Sequence, residues 1–540
     1  MLKLETVTRY EDVMNCTVGE VLERGALLCP DKVALVFETR KINYYDLNVL
    51  VDSFAAAVSE LGFKKGDRIA IDLPNSPELV VSFFAAAKLG LIATWLNPLY
   101  REAELKFILG NSKAKGIILK SGFQDHDYAG AVLSMKNELP ALQFIIDVSA
   151  RQDTLLFADL LKKGAQKKYT KPEIDPREDY VMLIYTSGST GIPKGAPHTH
   201  WQVIRQGFNY QQSLGTTAAD IFISFLPLYH LFGFGALFMS VLSTQGTLIL
   251  METYDREEAF RLIEREKCTV HHAAPTHYIL ALKDDLYKKY DLSTLRIGYT
   301  SGYVPPMELM VEIEEKLGVE VSNFWGSSEA GGALIFDHSD PSREKRFKTV
   351  GKPIEIMDIK IVDPETRAEK AVGEEGELMC RGPNVIKGYW ENQAETEAHF
   401  DADGWFATGD LAFIDEGGYV TITGRTKDQI NRGGLKVTPF ELEKEISKHP
   451  NVHEVAIVAT PNPVLGENIC ACVVPAPGVS VTLAEIRDFL DGKVAKNKLP
   501  DELSIFESFP RLVGGVKLNK FGAGGIKELA INDQNKQSVR

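Results

Sequence analysis

The chain reads as an α/β protein with a large N-terminal domain of parallel sheets flanked by helices, a small β subdomain, and a small α+β C-terminal domain. Three observations predict this. The first half alternates apolar strand-like runs with amphipathic helical ones, the rhythm breaks into short strands and turns after about Gly351, and it changes again beyond Arg425–Asp428. At 540 residues the chain also exceeds what one ordinary domain holds.

Each element follows from its own pattern. DRIAIDLP is a strand, SPELVVSFFAAAKLG a helix stopped by Gly90, and LIATWLNP the next strand. KGIILK, FIIDV and DYVMLIYT continue the set; GTLILME, REEAFRLIEREK and TVHHAAP repeat strand, helix, strand. This β-α-β order places binding sites at the C-terminal ends of strands. IEIMDIKIVD, GELMCRG and GYVTITG form the β-rich subdomain, about 335–424. PFELEKEISKH, VHEVAIVA, NICACVVP and TLAEIRDFLDGKV then read as helix, strand, strand, helix. The N-terminal domain is expected over 1–426 and the C-terminal one over 427–540. The last ten residues, polar and rich in Lys, Gln and Asn, read as a frayed tail.

Composition excludes some classes. Acidic residues outnumber basic ones, giving a net charge of −14, so neither nucleic acid nor an anionic membrane is the expected partner. The six cysteines are scattered without C-x-x-C spacing, which fits reduced thiols in a cytoplasmic protein rather than zinc ligands. The N-terminal residues are charged and lack a signal-peptide core. Ile221–Met251 carries no Asp, Glu, Lys or Arg, yet Pro227, His230, Gly233 and Gly235 interrupt it. It reads as strand, loop, helix and strand in a large core, with no membrane span.

The stretch YTSGSTGIPKGAP carries the chemistry. A strand running into three glycines, three Ser/Thr hydroxyls and a lysine suits a phosphate cradle, because glycine leaves backbone N–H groups unobstructed. It is not the G-K-[ST] loop of common NTPases, since Gly195 follows Lys194, and no G-x-G-x-x-G is present. Ser187, Ser189 and Thr190 would donate hydroxyl bonds and Lys194 would supply charge.

With its neighbours, this loop resembles that of the adenylate-forming acyl-CoA synthetase superfamily. YTSGSTGIPKG matches the family signature throughout, and LPLYHLFG, TSGYVPP, NFWGSSEAGG, GWFATGDLA and GYVTITGRTKDQINRGGLKVTPFELE follow in the family's order over essentially the whole chain. The resemblance implies ATP, Mg²⁺ and coenzyme A, and two steps: a carboxylate and ATP give acyl-adenylate and pyrophosphate, then CoA gives the thioester and AMP. Joining two anions costs on the order of a few kcal/mol per close pair, so cations must sit on both.

The resemblance assigns roles residue by residue. Thr186, Ser187, Gly188, Ser189, Thr190, Gly191 and Lys194 hold phosphates. Ser301, Gly302, Tyr303, Trp325, Gly326, Ser327 and Ser328 surround the adenine. Glu329 is the Mg²⁺ ligand and a catalytic residue, with Ser328 beside it. Asp410 accepts both ribose hydroxyls and Arg425 contacts the nucleotide. The catalytic lysine is Lys517 or Lys520. Lys517 is preferred because L-N-K follows it, although GGVK departs from the family's ending. Lys427 occupies the hinge on which a mobile C-terminal domain turns, and Gly433 and Gly434 line the CoA channel.

The acyl pocket falls to Tyr229, His230, Phe232, Phe234, Tyr303 and Gly331, with His230 also counted as catalytic. KDQINRGGLK resembles 2,3-dihydroxybenzoate–adenylate ligases, but their Asn after the pocket His is Leu231 here. A buried substrate hydroxyl would lack a partner. An apolar aromatic, alicyclic or medium-chain acid is expected, with CoA as acceptor. The alternatives are an aryl-acid ligase serving a carrier protein and an inactive nucleotide-binding homologue; a luciferase-like oxygenase lacks its lysine, at Asn431. The resemblance allows a homodimer.

Overall fold

A computed structural model describes residues 15–538 except 125, 150, 188–192, 302–304, 433–434, 464, 495, 512–517 and 522–523. The chain divides into two compact units, Met1–Asp358 with Cys380–Phe406, and Ile359–Met379 with Ala407–Arg540.

The first unit is built on two seven-stranded sheets. One runs Glu320–Asn323, Ile297–Thr300, Val270–His272, Ile221–Ser224, Thr247–Leu250, Val33–Phe37 and Arg40–Asn43. The other runs Pro193–Thr199, Tyr180–Ser187, Ile92–Trp95, Arg68–Asp72, Gly116–Leu119, Phe144–Asp147 and Leu155–Leu156. Each is parallel except for one antiparallel edge strand, Arg40–Asn43 in the first and Pro193–Thr199 in the second. That is the expected parallel-sheet architecture, and the strand sequences are apolar because helices cover them.

Helix Pro77–Lys88 shows how local sequence sets an element. Ser76 caps it by accepting the Leu79 N–H, Pro77 starts it, and Gly90 leaves it at φ +64°. Every residue of the helix but Glu78 is buried, with Phe83 and Phe84 in one aromatic core that Phe234 and Phe238 also enter. Helix His200–Leu214 begins with a reciprocal cap, Thr199 accepting the Gln202 N–H while Gln202 accepts that of Thr199, and stops at Gly215, φ +60°.

The uncharged stretch resolves into strand Ile221–Ser224, a π-helical segment Phe232–Phe238, helix Met239–Thr244 and strand Thr247–Leu250. Among the described residues no helix is long and apolar enough to cross a membrane.

The second unit carries a sheet ordered Asp358–Val362, Gly376–Arg381, Phe406–Ile414, Val420–Arg425. A further sheet runs Leu435–Val437, Ile430–Arg432, Gly466–Pro475 and Val452–Asn462, with Glu502–Ile505 parallel to Gly466–Pro475. Helices Pro439–Ile446 and Leu483–Leu490 bury apolar faces in its core. One expectation is corrected. The last residues do not fray at 531 but continue helix Ile526–Ser538, anchored by buried Ile526 and Ala530.

Candidate active site

The phosphate-loop sequence joins two antiparallel strands. Tyr185 faces Gly195, Thr186 faces Lys194 and Ser187 faces Pro193. Gly188, Ser189, Thr190 and Gly191 lie outside the described residues. The edge strand aims Lys194 inward, where it is only 6% exposed. A cation this buried must be matched by charge. Glu395 provides the match in an ion pair, and the Lys194 ammonium also lies 5.3 Å from the Tyr389 ring centroid.

Tyr389 connects this lysine to the proposed metal ligand. Its hydroxyl donates to Glu329 Oε1 at 2.9 Å. Burial and the Glu329 carboxylate push the phenol's pKa well above its ordinary value, so it remains a donor.

Glu329 sits at the tip of a hairpin between Trp325–Ser327 and Gly331–Ile335. Ser327 Oγ accepts the N–H groups of Glu329 at 3.2 Å and Ala330 at 3.1 Å. A Cβ at Gly326 would lie 2.2 Å from the Gly331 carbonyl oxygen, so only glycine lets the strands approach this closely. The Ile386 N–H donates to the Glu329 carbonyl at 2.8 Å. His198 Nε2 lies 2.8 Å from the Ser328 carbonyl, and burial lowers the imidazole pKa to about 4. The ring is therefore neutral near pH 7, with the Nε2 proton donated to that carbonyl.

Among the described residues no group of three or more His, Cys, Asp or Glu could hold a metal unaided. The donor set fits Mg²⁺ bound through one carboxylate plus phosphate oxygens, since Tyr389 uses only one oxygen of Glu329. Trp325 is nearly buried at the start of the hairpin, with Gly326, Ser327 and Ser328 following. Ser301, just after the parallel strand Ile297–Thr300, donates to the Phe324 carbonyl at 3.2 Å. Gly302 and Tyr303 lie outside the described residues.

The proposed pocket residues separate by environment. His230 is exposed, and its Nδ1 accepts the Phe232 N–H at 3.2 Å. Tyr229 is partly buried. Phe232 meets Phe324 edge-on at 4.7 Å between centroids. Phe234 is fully buried, 4.2 Å from Phe83 and 5.4 Å from Trp95, and so packs as core. Gly331 takes φ +62°, which favours glycine.

In the second unit, Asp410 and Arg425 are partners across one antiparallel register, with Arg425 Nε 2.8 Å from Asp410 Oδ1. Lys427 lies on the single turn Thr426–Asp428, its pKa lowered by burial and by Arg425. Lys520 is held by Glu443 at 2.5 Å. Lys517, Gly433 and Gly434 lie outside the described residues.

Comparison with known families decides the class. Residues 22–390 match the AMP-binding enzyme model, and residues 441–513 match the AMP-binding enzyme C-terminal domain. The chain belongs to the AMP-binding enzyme family. This enzyme is 32% identical to the mitochondrial medium-chain acyl-CoA ligase ACSF2 of Mus musculus, over 94% of this chain and 87% of the relative. It is 31% identical to the medium-chain fatty-acid–CoA ligase of Escherichia coli strain K12, over 94% and 90%. Its structure is similar to that of the anthranilate CoA ligase AuaEII in complex with anthranoyl-AMP, with a TM-score of 0.85, 26% identity, and coverage of 99% and 100%. The expectation of an AMP-forming acid–CoA ligase is borne out at this level.

Sequence reasoning passed over Tyr389, Glu395 and His198. The aromatic pair in GYW was the available signal for Tyr389; nothing local marks Glu395.

Proposed function

We propose that the enzyme activates an apolar carboxylic acid with Mg-ATP and transfers the acyl group to coenzyme A. The observation that supports this best is the cluster Glu329–Tyr389–Lys194, which sets a metal-competent carboxylate and a phosphate-loop lysine against one phenol. Mg²⁺ bound through Glu329 would neutralise phosphate charge. Lys194 and the N–H groups of the loop would hold the β- and γ-phosphates while the carboxylate attacks the α-phosphate. Asp410 would accept the ribose hydroxyls and Lys517 would bridge the two reacting anions.

In this reading the unit carrying Lys517 turns about Lys427 between half-reactions, and Gly433 and Gly434 then admit the pantetheine arm. The pocket takes a medium-chain acid, as the ACSF2 and E. coli relatives do by name, or an aromatic one, as the anthranilate ligase does. The test is to supply Mg-ATP and a panel of aromatic, alicyclic and C2–C12 acids, with and without CoA. Acid-dependent AMP coupled to acyl-CoA is expected. Pyrophosphate exchange without any thioester would replace CoA by a carrier protein, and no exchange with any acid would overturn the reading.

A further inference from the structure

Asn75 is 3% exposed, and none of the roles above uses it. It follows strand Arg68–Asp72 of the second sheet and directly precedes Ser76, the cap of helix Pro77–Lys88. Both ends of its amide engage one distant segment. Asn75 Nδ2 donates to the Leu226 carbonyl at 3.0 Å, and Asn75 Oδ1 accepts the Leu228 N–H at 2.8 Å. The side chain thus takes the part of a neighbouring strand at the point where the chain has left strand Ile221–Ser224 of the first sheet. Ser224 Oγ adds a third tie by accepting the Leu226 N–H at 3.0 Å.

The proposed pocket residues Tyr229, His230 and Phe232 begin at the next position along the chain. Pro227, between the two anchored leucines, passes the constraint on. Its carbonyl accepts the His230 N–H at 3.1 Å, and a Cβ at Gly233 would lie 2.2 Å from the same oxygen. His230 Nδ1 in turn accepts the Phe232 N–H. A displacement of Leu226–Leu228 therefore reaches the pocket residues through backbone. Leu226 and Leu228 are buried, so loss of the Asn75 amide would strand a carbonyl and an N–H away from water.

We infer that Asn75 is a positioning residue for the acid. It fixes Leu226–Leu228 and so sets where Tyr229, His230 and Phe232 stand against the acyl group. The bonds described for Lys194, Tyr389 and Glu329 do not pass through it, which separates its effect from the nucleotide side. This rests on the ligase reading, which assigns those three residues to the pocket.

The test uses the full chain and the acid of the panel above that the wild type binds or uses best. It measures kcat, KM for the acid and KM for Mg-ATP, beside calorimetric binding of the free acid. Asn75→Ala should raise KM and Kd for the acid about 10–100-fold, the scale of a displaced binding group, and leave KM for Mg-ATP within about 2-fold. Asn75→Asp keeps the shape and serves where the alanine variant fails to fold. Its protonated carboxyl can accept from Leu228 and donate to Leu226 as the amide does, whereas the carboxylate can only accept. Burial favours the protonated form. This variant should match the wild type in acid KM at pH 6 and exceed it by about 10-fold or more at pH 9. Each value is set against the wild type at the same pH, because Asp72 lies three residues away. A merely structural Asn75 would lower the melting temperature and kcat in both variants without moving the acid KM. That result, or an equal rise in KM for Mg-ATP, would overturn the assignment while leaving the ligase intact. Acid binding that weakens in the variants, without turnover by any form, would support Asn75 and overturn the proposed activity. A wild type that neither binds nor consumes any acid would overturn both.

Discussion

The Tyr389 hydroxyl donates to Glu329 Oε1 at 2.9 Å while the same ring lies beneath the Lys194 ammonium. One side chain thus orients the anionic and the cationic member of the site together. Tyr389→Phe keeps the ring and removes the bond. Acid-dependent pyrophosphate exchange should fall about 10–100-fold, the usual cost of losing a partner that orients a metal ligand. The magnesium titration should shift to higher concentration; an unchanged titration would argue against Glu329 as the ligand.

Glu395 neutralises Lys194 in the absence of nucleotide. Glu395→Gln strands a cation that is only 6% exposed, at a cost on the order of 3 kcal/mol. The variant should melt lower than the wild type without ligand, and the gap should narrow with Mg-ATP, because phosphate replaces the lost carboxylate. Thermal melts with and without Mg-ATP read this directly. A gap of equal size in both would dissociate Lys194 from the phosphates.

The two candidate lysines are separable. Lys517→Ala should lower adenylation by about 10²–10³-fold, as expected for loss of a group acting on developing charge. It should spare thioester formation from supplied acyl-adenylate. Lys520→Ala removes the ion pair to Glu443 and should lower the melting temperature while leaving adenylation near wild type. The reverse pattern would exchange the assignments.

Asp72 ends the buried strand Arg68–Asp72 with neither carboxylate oxygen hydrogen-bonded among the described residues, and burial raises its pKa from 3.8 to about 8. The folded state therefore holds a proton that the unfolded chain has released. Between pH 3.8 and about 8 this group makes stability fall as pH rises, by at most about 1.4 kcal/mol per unit. Asp72→Asn should stabilise the protein at pH 8 and do so progressively less toward pH 5. Chemical denaturation across that range measures it, and a pH-independent difference would refute a buried, protonated Asp72.

The legible parts were those written locally. Pro77 and Gly90 bracket a helix, and the apolar run before Tyr185 makes a strand. What stayed hidden is non-local. Tyr389 reaches Glu329 across 60 positions, and Glu395 is far from Lys194 in the chain. Neither partnership has a spacing that any period would reveal. The polar tail misled for a related reason: Ile526 and Ala530 suffice to dock helix Ile526–Ser538, against the weight of its composition.

The π-helical segment Phe232–Phe238 closes its turns with one more residue than an α-helix does, as in the bond from the Met239 N–H to the Phe234 carbonyl. Chain length in LPLYHLFGFGALF is therefore as informative as its letters. Deleting a single residue there would let the segment relax to an α-helix, with the flanking residues kept on their faces and one side chain lost from the segment itself. On the proposed acyl-site reading, an insertion or deletion at this point would refit a stretch of the pocket wall in one step, where a point substitution changes a single side chain.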